Sequence, residues 1–574
     1  MQRDLTNGDV ARIFDRIAAV MEIQGENQFK IRAYKNASET LAHLSEPVSV
    51  LARDNRLDAV PGFGEAIQAK IRDILSTGTT PLYERIKGTV PDGVIDMLEL
   101  PGIGAKSVRQ LWESLKIESV DALEAAARAG RLTELPGFGA KSVAKILDAI
   151  ERGRRYANCL RIDEAEPVAS SIQAALKSNP DASRVELTGA LARRADSVDG
   201  IELIVMTNSP ESVFDQASGL AQVASATAET PEEKTYTLHS GITLRVQVAE
   251  PPSFVPQLVR ARSSERHWQQ LEARASELGM RLTPSGLLKD GQQIDVADEA
   301  ALYAALGLAA IPVELREGNG EIEAAAKNAL PRLITLADIK GDLHAHTVAS
   351  DGKAPLQDMI AAAKSHGYSY MAITDHSQSL AIAGGLIPDR LREQIRAVRD
   401  AEQSAGIRIY AGSEVDIRAD GTMDYDDELL AELDFVIASA HMHNRQDRDA
   451  QTKRVIRAIE NPHVDLIAHP TARLINRRDP FDIDMEAMIS AAARTGTALE
   501  INAAPERLDL RDDHARLACQ MGALIMIDTD AHAVGNYDLM SYGIDVARRA
   551  WLTAEDVLNT RSLQDFELWL NREK

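Results

Sequence analysis

Six of the thirteen histidines of this chain stand close to aspartate and glutamate residues between positions 344 and 532. Imidazole and carboxylate groups together bind Zn²⁺, Mn²⁺ or iron without the thiolates that favour zinc alone. Two or three such ions, roughly 3.5 to 4 Å apart, can activate a water, clamp a phosphate and stabilise a leaving oxygen. We therefore predict a hydrolytic site with two to three ions, with Mn²⁺ or Zn²⁺ as the leading choices. Its predicted ligands are His344, His346, Asp351, His376, Glu414, His441, His469, Asp530 and His532.

Almost every predicted ligand follows a short apolar segment of β-forming residues. These segments cover residues 370–376, 408–414, 434–441, 464–469 and 524–532. Helical stretches such as 355–366 and 447–460 lie between them, and alternation of strand and helix favours a parallel sheet closed as a barrel. The carboxyl ends of the strands in such a barrel share one face, which would gather the ligands into one site. A chance scatter of core and surface histidines is the alternative interpretation.

The amino-terminal part contains a repeated Pro-Gly-x-Gly segment. Its three copies, 60–64, 100–104 and 135–139, start 40 and then 35 residues apart, and each precedes a helical run. Glycines permit a tight turn and leave backbone N–H groups free at the start of the following helix, where a phosphate can bind. These copies resemble helix-hairpin-helix motifs, which hold the DNA backbone without reading its sequence. A purely structural helical hairpin is the alternative. The predicted DNA contacts are Gly62, Gly64, Gly102, Gly104, Lys106, Gly137, Gly139 and Lys141.

The charge of the chain is unevenly distributed. The net charge is −23, yet residues 1–155 hold 22 basic and 22 acidic residues, so the whole excess lies downstream. A neutral segment can still bind DNA through backbone amides and a few placed cations. Cys159 and Cys519 form no metal-binding motif, and neither a signal peptide nor an apolar run of about 18 residues is present. We expect a cytoplasmic, nucleoid-associated monomer that does not bind membranes.

The metal-ligand motifs resemble those of the PHP (polymerase and histidinol phosphatase) domain. The matching segments are Asp342-Leu-His344-Ala-His346, Ser350-Asp351-Gly352, Thr374-Asp375-His376, Gly412-Ser-Glu414, His441, His469-Pro470 and Asp530-Ala-His532. The resemblance implies a distorted seven-stranded β/α barrel with a trinuclear centre that hydrolyses phosphoesters. It assigns His344, His346, Glu414 and Asp530 to one ion, Glu414, His441 and His469 to a second, and Asp351, His376 and His532 to a third. Glu414, Asp351 and His376 are the catalytic candidates.

The rest of the chain resembles bacterial family X DNA polymerases. Residues 29–38, with Lys30 and Tyr34, resemble the stretch of the lyase domain that binds DNA at a gap, and Lys70 matches the Schiff-base lysine of lyase-active members. Residues 303–323 resemble the end of the thumb. The predicted divisions are a lyase-like domain at 1–90, a helix-hairpin-helix region at 91–159, an α+β palm and thumb at 160–318, a linker at 319–338 and the PHP barrel at 339–574.

The palm departs from the family at its catalytic positions. Nucleotidyl transfer needs three aspartates to hold two metal ions. Gly200 and Glu202 occupy the positions of the Asp-x-Asp pair, and Thr243 occupies the third. Too little negative charge remains to hold two Mg²⁺ ions against water. We predict a palm without polymerase activity and without bound Mg²⁺.

Together these features predict a base-excision-repair protein that acts on gapped, nicked or 3′-ended DNA without sequence specificity. Its PHP domain would act as a 3′-5′ exonuclease, and the family resemblance also permits 3′-phosphatase and abasic-site endonuclease activity. Three alternatives remain: an active gap-filling polymerase, a small-molecule phosphatase of the histidinol phosphatase type, and a non-catalytic DNA-binding scaffold.

Overall fold

The structure, a computed structural model, describes the chain apart from short gaps and the ends. The described residues are 7–42, 48–60, 62–100, 103–156, 159–444 and 446–572. The chain divides into two compact units, Met1–Ala157 and Asn158–Lys574.

The first unit is helical because its apolar residues recur at helical spacing. Helix α1, for example, buries Val10, Phe14, Ile17 and Met21 on one face, and this face packs into one core with the other helices of the unit. The helices are α1 (Asn7–Gln24), α2 (Gln28–Ala42), α3 (Val48–Arg53), α4 (Glu65–Thr77), α5 (Pro81–Ile86), α6 (Asp92–Asp96), α7 (Ala105–Leu115), α8 (Val120–Arg128) and α9 (Ala140–Tyr156).

The second unit begins with an α+β region built on a mixed sheet. Its five-stranded sheet has the order β2-β4-β7-β6-β5, in which only the neighbours β4 and β7 are parallel. A three-stranded meander of β8, β9 and β10 follows. The strands are β1 (Leu160–Arg161), β2 (Arg184–Thr188), β3 (Ser197–Val198), β4 (Gly200–Met206), β5 (Val223–Glu229), β6 (Glu233–Leu238), β7 (Thr243–Ala249), β8 (Met280–Thr283), β9 (Gly286–Lys289) and β10 (Gln292–Ile294). The helices are α10 (Ile162–Lys177), α11 (Gly189–Ala192), α12 (Pro210–Ser218), α13 (Pro251–Arg262), α14 (Glu265–Glu277), α15 (Glu299–Ala305) and α16 (Glu321–Ala326).

The remainder of the second unit is a barrel of seven parallel strands that neighbour one another in sequence order. Its strands are β11 (Gly341–Asp342), β12 (Tyr370–Ile373), β13 (Arg408–Asp416), β14 (Phe435–Ser439), β15 (Leu466–Ile467), β16 (Ala498–Asn502) and β17 (Ile525–Asp528). Its helices are α17 (Leu356–Ser365), α18 (Pro388–Ala405), α19 (Asp427–Leu430), α20 (Arg448–Ile459), α21 (Met485–Thr495), α22 (Asp512–Gln520), α23 (Met540–Arg549) and α24 (Leu563–Leu570).

Alternation along the strands sorts the barrel residues into two apolar clusters. Residues such as Ile409 and Leu499 pack with the surrounding helices, whereas Tyr410 and Ala498 join the second cluster, which contains Phe566 of α24. Glu414 and Glu500 are an even number of residues from Tyr410 and Ala498, so they share that second face of their strands. The apolar cluster therefore lies below the carboxyl ends at which the predicted ligands stand.

Strands β11 and β17 lie at the two ends of the strand order, and side chains join them there. The buried Asn559 amide donates to the Gly341 carbonyl at 2.9 Å and to the Ile527 carbonyl at 2.6 Å, and its oxygen accepts from the Ile527 N–H at 3.1 Å. Beyond the strands, Ala345 and Ala531 form an isolated bridge. Asn559 thus supplies hydrogen bonds at the place where β17 and β11 have no continuous backbone pairing.

We expect Asn559→Ala to destabilise the barrel by about 3 kcal/mol, because three buried hydrogen bonds are lost at about 1 kcal/mol each. Urea unfolding of the full chain, followed by tryptophan fluorescence, measures the change. Asn571→Ala is the matched control, since Asn571 makes one exposed side-chain bond to the Glu567 carbonyl. Equal stability of the two variants would contradict the closing role of Asn559.

The α+β region and the barrel share one continuous apolar cluster that runs from Ile162 to Val557. Ion pairs also join them: Arg194 bonds to Asp545 at 2.6 Å, Arg548 to Glu314 at 2.8 Å, and Arg473 to Asp196 at 2.9 Å. Glu321, at the start of the predicted linker, is buried and bonds to His267 at 2.5 Å. The segment after residue 318 is therefore packed against the α+β region.

The predicted fold class is confirmed, with a helical amino-terminal region, an α+β region and a distorted (β/α)₇ barrel. The sequence pattern identified five of the seven barrel strands. It missed β11, which has two residues, and β16. No helix in the described part of the chain is long and apolar enough to cross a membrane.

Candidate metal centre and DNA contacts

The nine predicted metal ligands converge at the carboxyl ends of the barrel strands, and Glu414 lies at their centre. Its Oε1 atom is 3.0 Å from His469 Nε2 and 3.3 Å from His441 Nε2. Its Oε2 atom is 2.9 Å from His376 Nδ1 and 3.4 Å from His344 Nε2. A carboxylate with imidazoles on both oxygens has the arrangement required to bridge two cations.

Two further carboxylates complete the cluster. Asp530 Oδ1 lies 3.1 Å from His346 Nε2 and 3.4 Å from His344 Nε2. Asp351 lies 3.4 Å from both His376 and His532. Three overlapping sets of side chains offer converging ligand atoms: His344, His346 and Asp530; His376, Glu414 and His441; and His346, Asp351, His376 and His532.

Burial and mutual charge set the protonation of these groups. Burial raises the pKa of the Glu414 carboxyl, but His441, His376 and His344 outweigh burial and hold this pKa well below its usual value. Burial disfavours the charged form of His376, yet Glu414 and Asp351 raise its pKa to about 10. Burial, with help from neighbouring cations, lowers the pKa of His346 and of His469 to about 3. Glu414 is thus held as the anion by the positive charge of the imidazoles around it.

Several of these atoms are buried and have no hydrogen-bond partner among the described residues. They include His344 Nε2, His346 Nε2, Glu414 Oε2 and Asp530 Oδ1. Buried polar atoms are normally satisfied, so such a group of orphaned donors and acceptors points to a ligand. Nitrogen and carboxylate oxygen donors without thiolate fit Mn²⁺, Zn²⁺ or iron, and metal binding would displace the protons held on the histidines. The cluster therefore fits more than one kind of divalent ion.

The sequence analysis missed the carboxylates that orient the histidines. Glu500 accepts from His344 Nδ1 at 2.6 Å and from the His469 backbone N–H at 2.5 Å. Asp416 Oδ1 lies 3.2 Å from His441 Nδ1. Asp416 shares the face of β13 that carries Glu414, and Glu500 shares the face of β16 that carries Ala498. Alternation along β13 and β16 was therefore the signal that could have found them.

We expect Glu500→Gln to weaken metal binding by roughly 10- to 100-fold, because an amide orients the His344 imidazole less strongly than a carboxylate does. Metal content after dialysis against a graded chelator, measured by mass spectrometry, checks this. Glu432→Gln is the control, since Glu432 is exposed and its carboxylate pairs with Arg392 of α18, away from the ligand cluster. Equal retention of metal in both variants would contradict the orienting role.

The three glycine segments of the first unit share one geometry. Gly64, Gly104 and Gly139 each precede a helix, and each carbonyl accepts the first helical N–H bonds at 2.8 to 3.0 Å. A Cβ atom at any of the three would meet nothing within 4 Å, so these turns are open to an approaching backbone. Gly62 and Gly137 have φ of 86° and 90°, which favours glycine. Lys106 and Lys141 are exposed beside the turns, whereas Gly102 lies outside the described residues.

The residues expected to bind at a DNA gap differ in exposure. Lys30 is exposed, but Tyr34 is 8% exposed and stacks on Phe14, so its ring belongs to the core. Lys70 donates to the Ala66 carbonyl at 3.1 Å and lies 5.7 Å from the centre of the Tyr34 ring. These are contacts of the side chain with its own helix and with a neighbouring ring. A lyase role for Lys70 gains no support from these contacts.

The three positions singled out in the palm lie together on the parallel strands β4 and β7. Gly200 is the register partner of Thr243. Glu202 lies 3.3 Å from Arg245, and its side chain occupies the space that a Cβ on Gly189 would need. Burial raises the pKa of the Glu202 carboxyl, although Arg245 and Arg193 act in the opposite direction. The converging metal-ligand sets found among the described residues all lie in the barrel.

Family models match four parts of the chain. They describe a helix-hairpin-helix domain at residues 5–80, a SAM-like helix-hairpin-helix tandem at 94–152, a DNA polymerase beta thumb at 258–317 and a PHP domain at 342–504. The barrel with its ligands at the strand ends is therefore a PHP domain, joined to regions of the kind found in family X polymerases.

Curated relatives extend this result over the whole chain. The chain is 35% identical over 570 residues to a Bacillus subtilis protein named DNA polymerase/3′-5′ exonuclease PolX, covering 98% of this chain and 99% of that protein. The chain belongs to the bacterial PolX family. Proteins named probable phosphatase, from Syntrophotalea carbinolica and Shewanella sediminis, match 38% of the chain at 28% and 30% identity and are covered to 90% and 88% of their own length.

Proposed function

We propose that this protein is a DNA-repair phosphodiesterase whose PHP domain removes nucleotides or blocking groups from 3′ ends. The observation that carries this proposal is the convergence of His, Asp and Glu side chains on Glu414 in a barrel whose family includes a named 3′-5′ exonuclease. The helix-hairpin-helix turns supply sequence-independent contacts to the DNA backbone. Activity as a 3′-phosphatase or abasic-site endonuclease would use the same site.

Different side chains would hold the ions and orient the ligands. The first ion would be held by His344, His346, Glu414 and Asp530, the second by Glu414, His441 and His469, and the third by Asp351, His376 and His532. Bound Mn²⁺ or Zn²⁺ supplies Lewis-acid activation of water and neutralises phosphate charge. Glu414 and Asp530 provide the anionic charge that retains the ions. Glu500 and Asp416 fix the ring orientation of His344 and His441, which keeps the ligand nitrogens directed inward.

The test is hydrolysis of gapped duplex DNA that carries a 3′ label on one strand and a 5′ label on another, with Mn²⁺ and without nucleotides. Stepwise shortening from the 3′ end supports an exonuclease, and cleavage at an abasic site supports the endonuclease. A histidinol phosphatase type of activity is the second candidate, favoured by the match of the barrel to proteins named probable phosphatase. Hydrolysis of small phosphomonoesters, together with no cleavage of the DNA, would favour the histidinol phosphatase type of activity.

We further propose that nucleotidyl transfer has been lost. Gly200 and Thr243 bring no carboxylate to the adjoining strand ends, and the carboxylate of Glu202 faces Arg245. An active gap-filling polymerase is the competing candidate, favoured by full-length similarity to a relative named a DNA polymerase. Primer extension separates the two.

A further inference from the structure

The Arg507 side chain lies beside the predicted metal ligands. It follows strand β16, its side chain is 16% exposed, and its Nε atom is 3.7 Å from Asp530 Oδ2, too far for a hydrogen bond. Within the described part of the chain its guanidinium donates no hydrogen bond. The neighbouring Arg478 differs, since its Nε and Nη2 both donate to the Ala472 carbonyl, at 2.9 and 2.6 Å.

The guanidinium is partly exposed, so its N–H donors are open to an acceptor that enters from solvent. Arginine binds phosphate through two parallel N–H donors. The Oδ1 atom of Asp530 faces the histidines, whereas Oδ2 faces Arg507 and the Asn502 amide at 3.2 Å. Arg507 therefore stands at the edge of the ligand cluster, beside Asp530 and within electrostatic reach of His469. We infer that Arg507 donates to the non-bridging oxygens of the phosphate group that is cleaved, an inference that rests on the proposed hydrolytic function.

The backbone that carries Arg507 is held from the α+β region. Arg473 donates through Nε to the Arg507 carbonyl at 2.8 Å and through Nη2 to the Leu508 carbonyl. Its Nη1 atom pairs with Asp196, which precedes β3, at 2.9 Å. Arg473 is 9% exposed, so these bonds have little competition from water. Arg473 and Asp196 are positioning residues that act on substrate through Arg507.

The first test compares Arg507→Met and Arg507→Lys with the wild-type full chain loaded with Mn²⁺. We expect Arg507→Met to lower kcat/KM for 3′-end hydrolysis roughly 100-fold, since two charge-assisted hydrogen bonds are lost, and Arg507→Lys to lower it less. Bound metal per chain should be unchanged. Titration calorimetry with dTMP, a phosphate-bearing product, should show weaker binding by a similar factor, and added guanidinium ion should partly restore Arg507→Met.

Two outcomes would overturn the inference. One is unchanged dTMP affinity in Arg507→Met, and the other is a parallel loss of metal, which would make Arg507 a support for Asp530 only. If the wild-type protein releases nothing from DNA, the proposed function fails, while dTMP binding still tests Arg507.

The second test uses the contact between the α+β region and the barrel. We expect Asp196→Asn to raise KM several-fold with little change in kcat, because Arg473 then holds the Arg507 loop less firmly. Glu314→Gln is the matched control, since it breaks the Glu314–Arg548 pair between the same regions without touching the loop. Equal KM values for both variants would remove the positioning role of Asp196.

Discussion

Glu414→Gln should lower the rate of phosphoester hydrolysis by roughly 10³-fold or more while leaving DNA affinity unchanged. The Glu414 carboxylate lies within 3.4 Å of imidazole nitrogens of His344, His376, His441 and His469 at once. Glutamine keeps the size of the side chain but removes the anionic charge that binds cations from both sides. Loss of several kcal/mol of electrostatic stabilisation corresponds to about three powers of ten in rate.

The measurement is release of labelled nucleotide from gapped DNA with Mn²⁺, together with a binding assay on the same duplex. The DNA contacts predicted in the first unit are distant in sequence from Glu414, which is why affinity should persist. Glu432→Gln, an exposed change in the same domain, should behave as wild type. Hydrolysis retained in Glu414→Gln would place the chemistry elsewhere in the protein and overturn the proposed function.

Primer extension should be absent, below about 10⁻³ of the incorporation by the Bacillus subtilis relative under the same conditions. Two-metal transfer relies on clustered carboxylates to hold both ions and the triphosphate. Here Gly200 and Thr243 supply none. The tight approach of a Gly200 Cβ to the Thr243 carbonyl, 3.1 Å, also leaves little room for a larger residue at position 200.

Extension is best measured in the Glu414→Gln background with Mg²⁺ or Mn²⁺, so that exonuclease activity cannot erase the product. The relative serves as the positive control for template, primer and nucleotide. Templated incorporation at a comparable rate would show that the palm with Gly200, Glu202 and Thr243 still supports nucleotidyl transfer. It would also make the gap-filling polymerase the better description of the protein.

The class of fold and the region of the site could be predicted because their signals are local. Apolar runs that end in His, Asp or Glu identify parallel strands and their functional ends at once, as at His376 and Glu414. The three Pro-Gly-x-Gly segments likewise carry their turn chemistry in the sequence. The structure brings all nine predicted ligands together, while their assignment to particular ions stays a prediction.

Other features depend on contacts between distant segments. Arg473 and Asp196 form an ion pair although they are 277 positions apart in the chain, and no local sequence pattern predicts this pair. Strand β11, with two residues, is too short for a periodic signal. His469 and Asp530 adopt positive φ values, 30° and 54°, which tertiary contacts impose on non-glycine residues. The orienting role of Glu500 could not be predicted because β16 was not among the strands predicted from the sequence.

The apolar cluster shared by the α+β region and the barrel has a consequence for how this protein evolves. The α+β region is required for the stability of the barrel whether or not it transfers nucleotides, because its removal would expose apolar residues of the shared cluster and leave Arg548 and Asp545 without their partners Glu314 and Arg194. Selection for a folded barrel therefore also preserves the α+β region as a scaffold. Substitutions at Gly200, Glu202 and Thr243 are compatible with that scaffold role, whereas deletions in the region would be harmful.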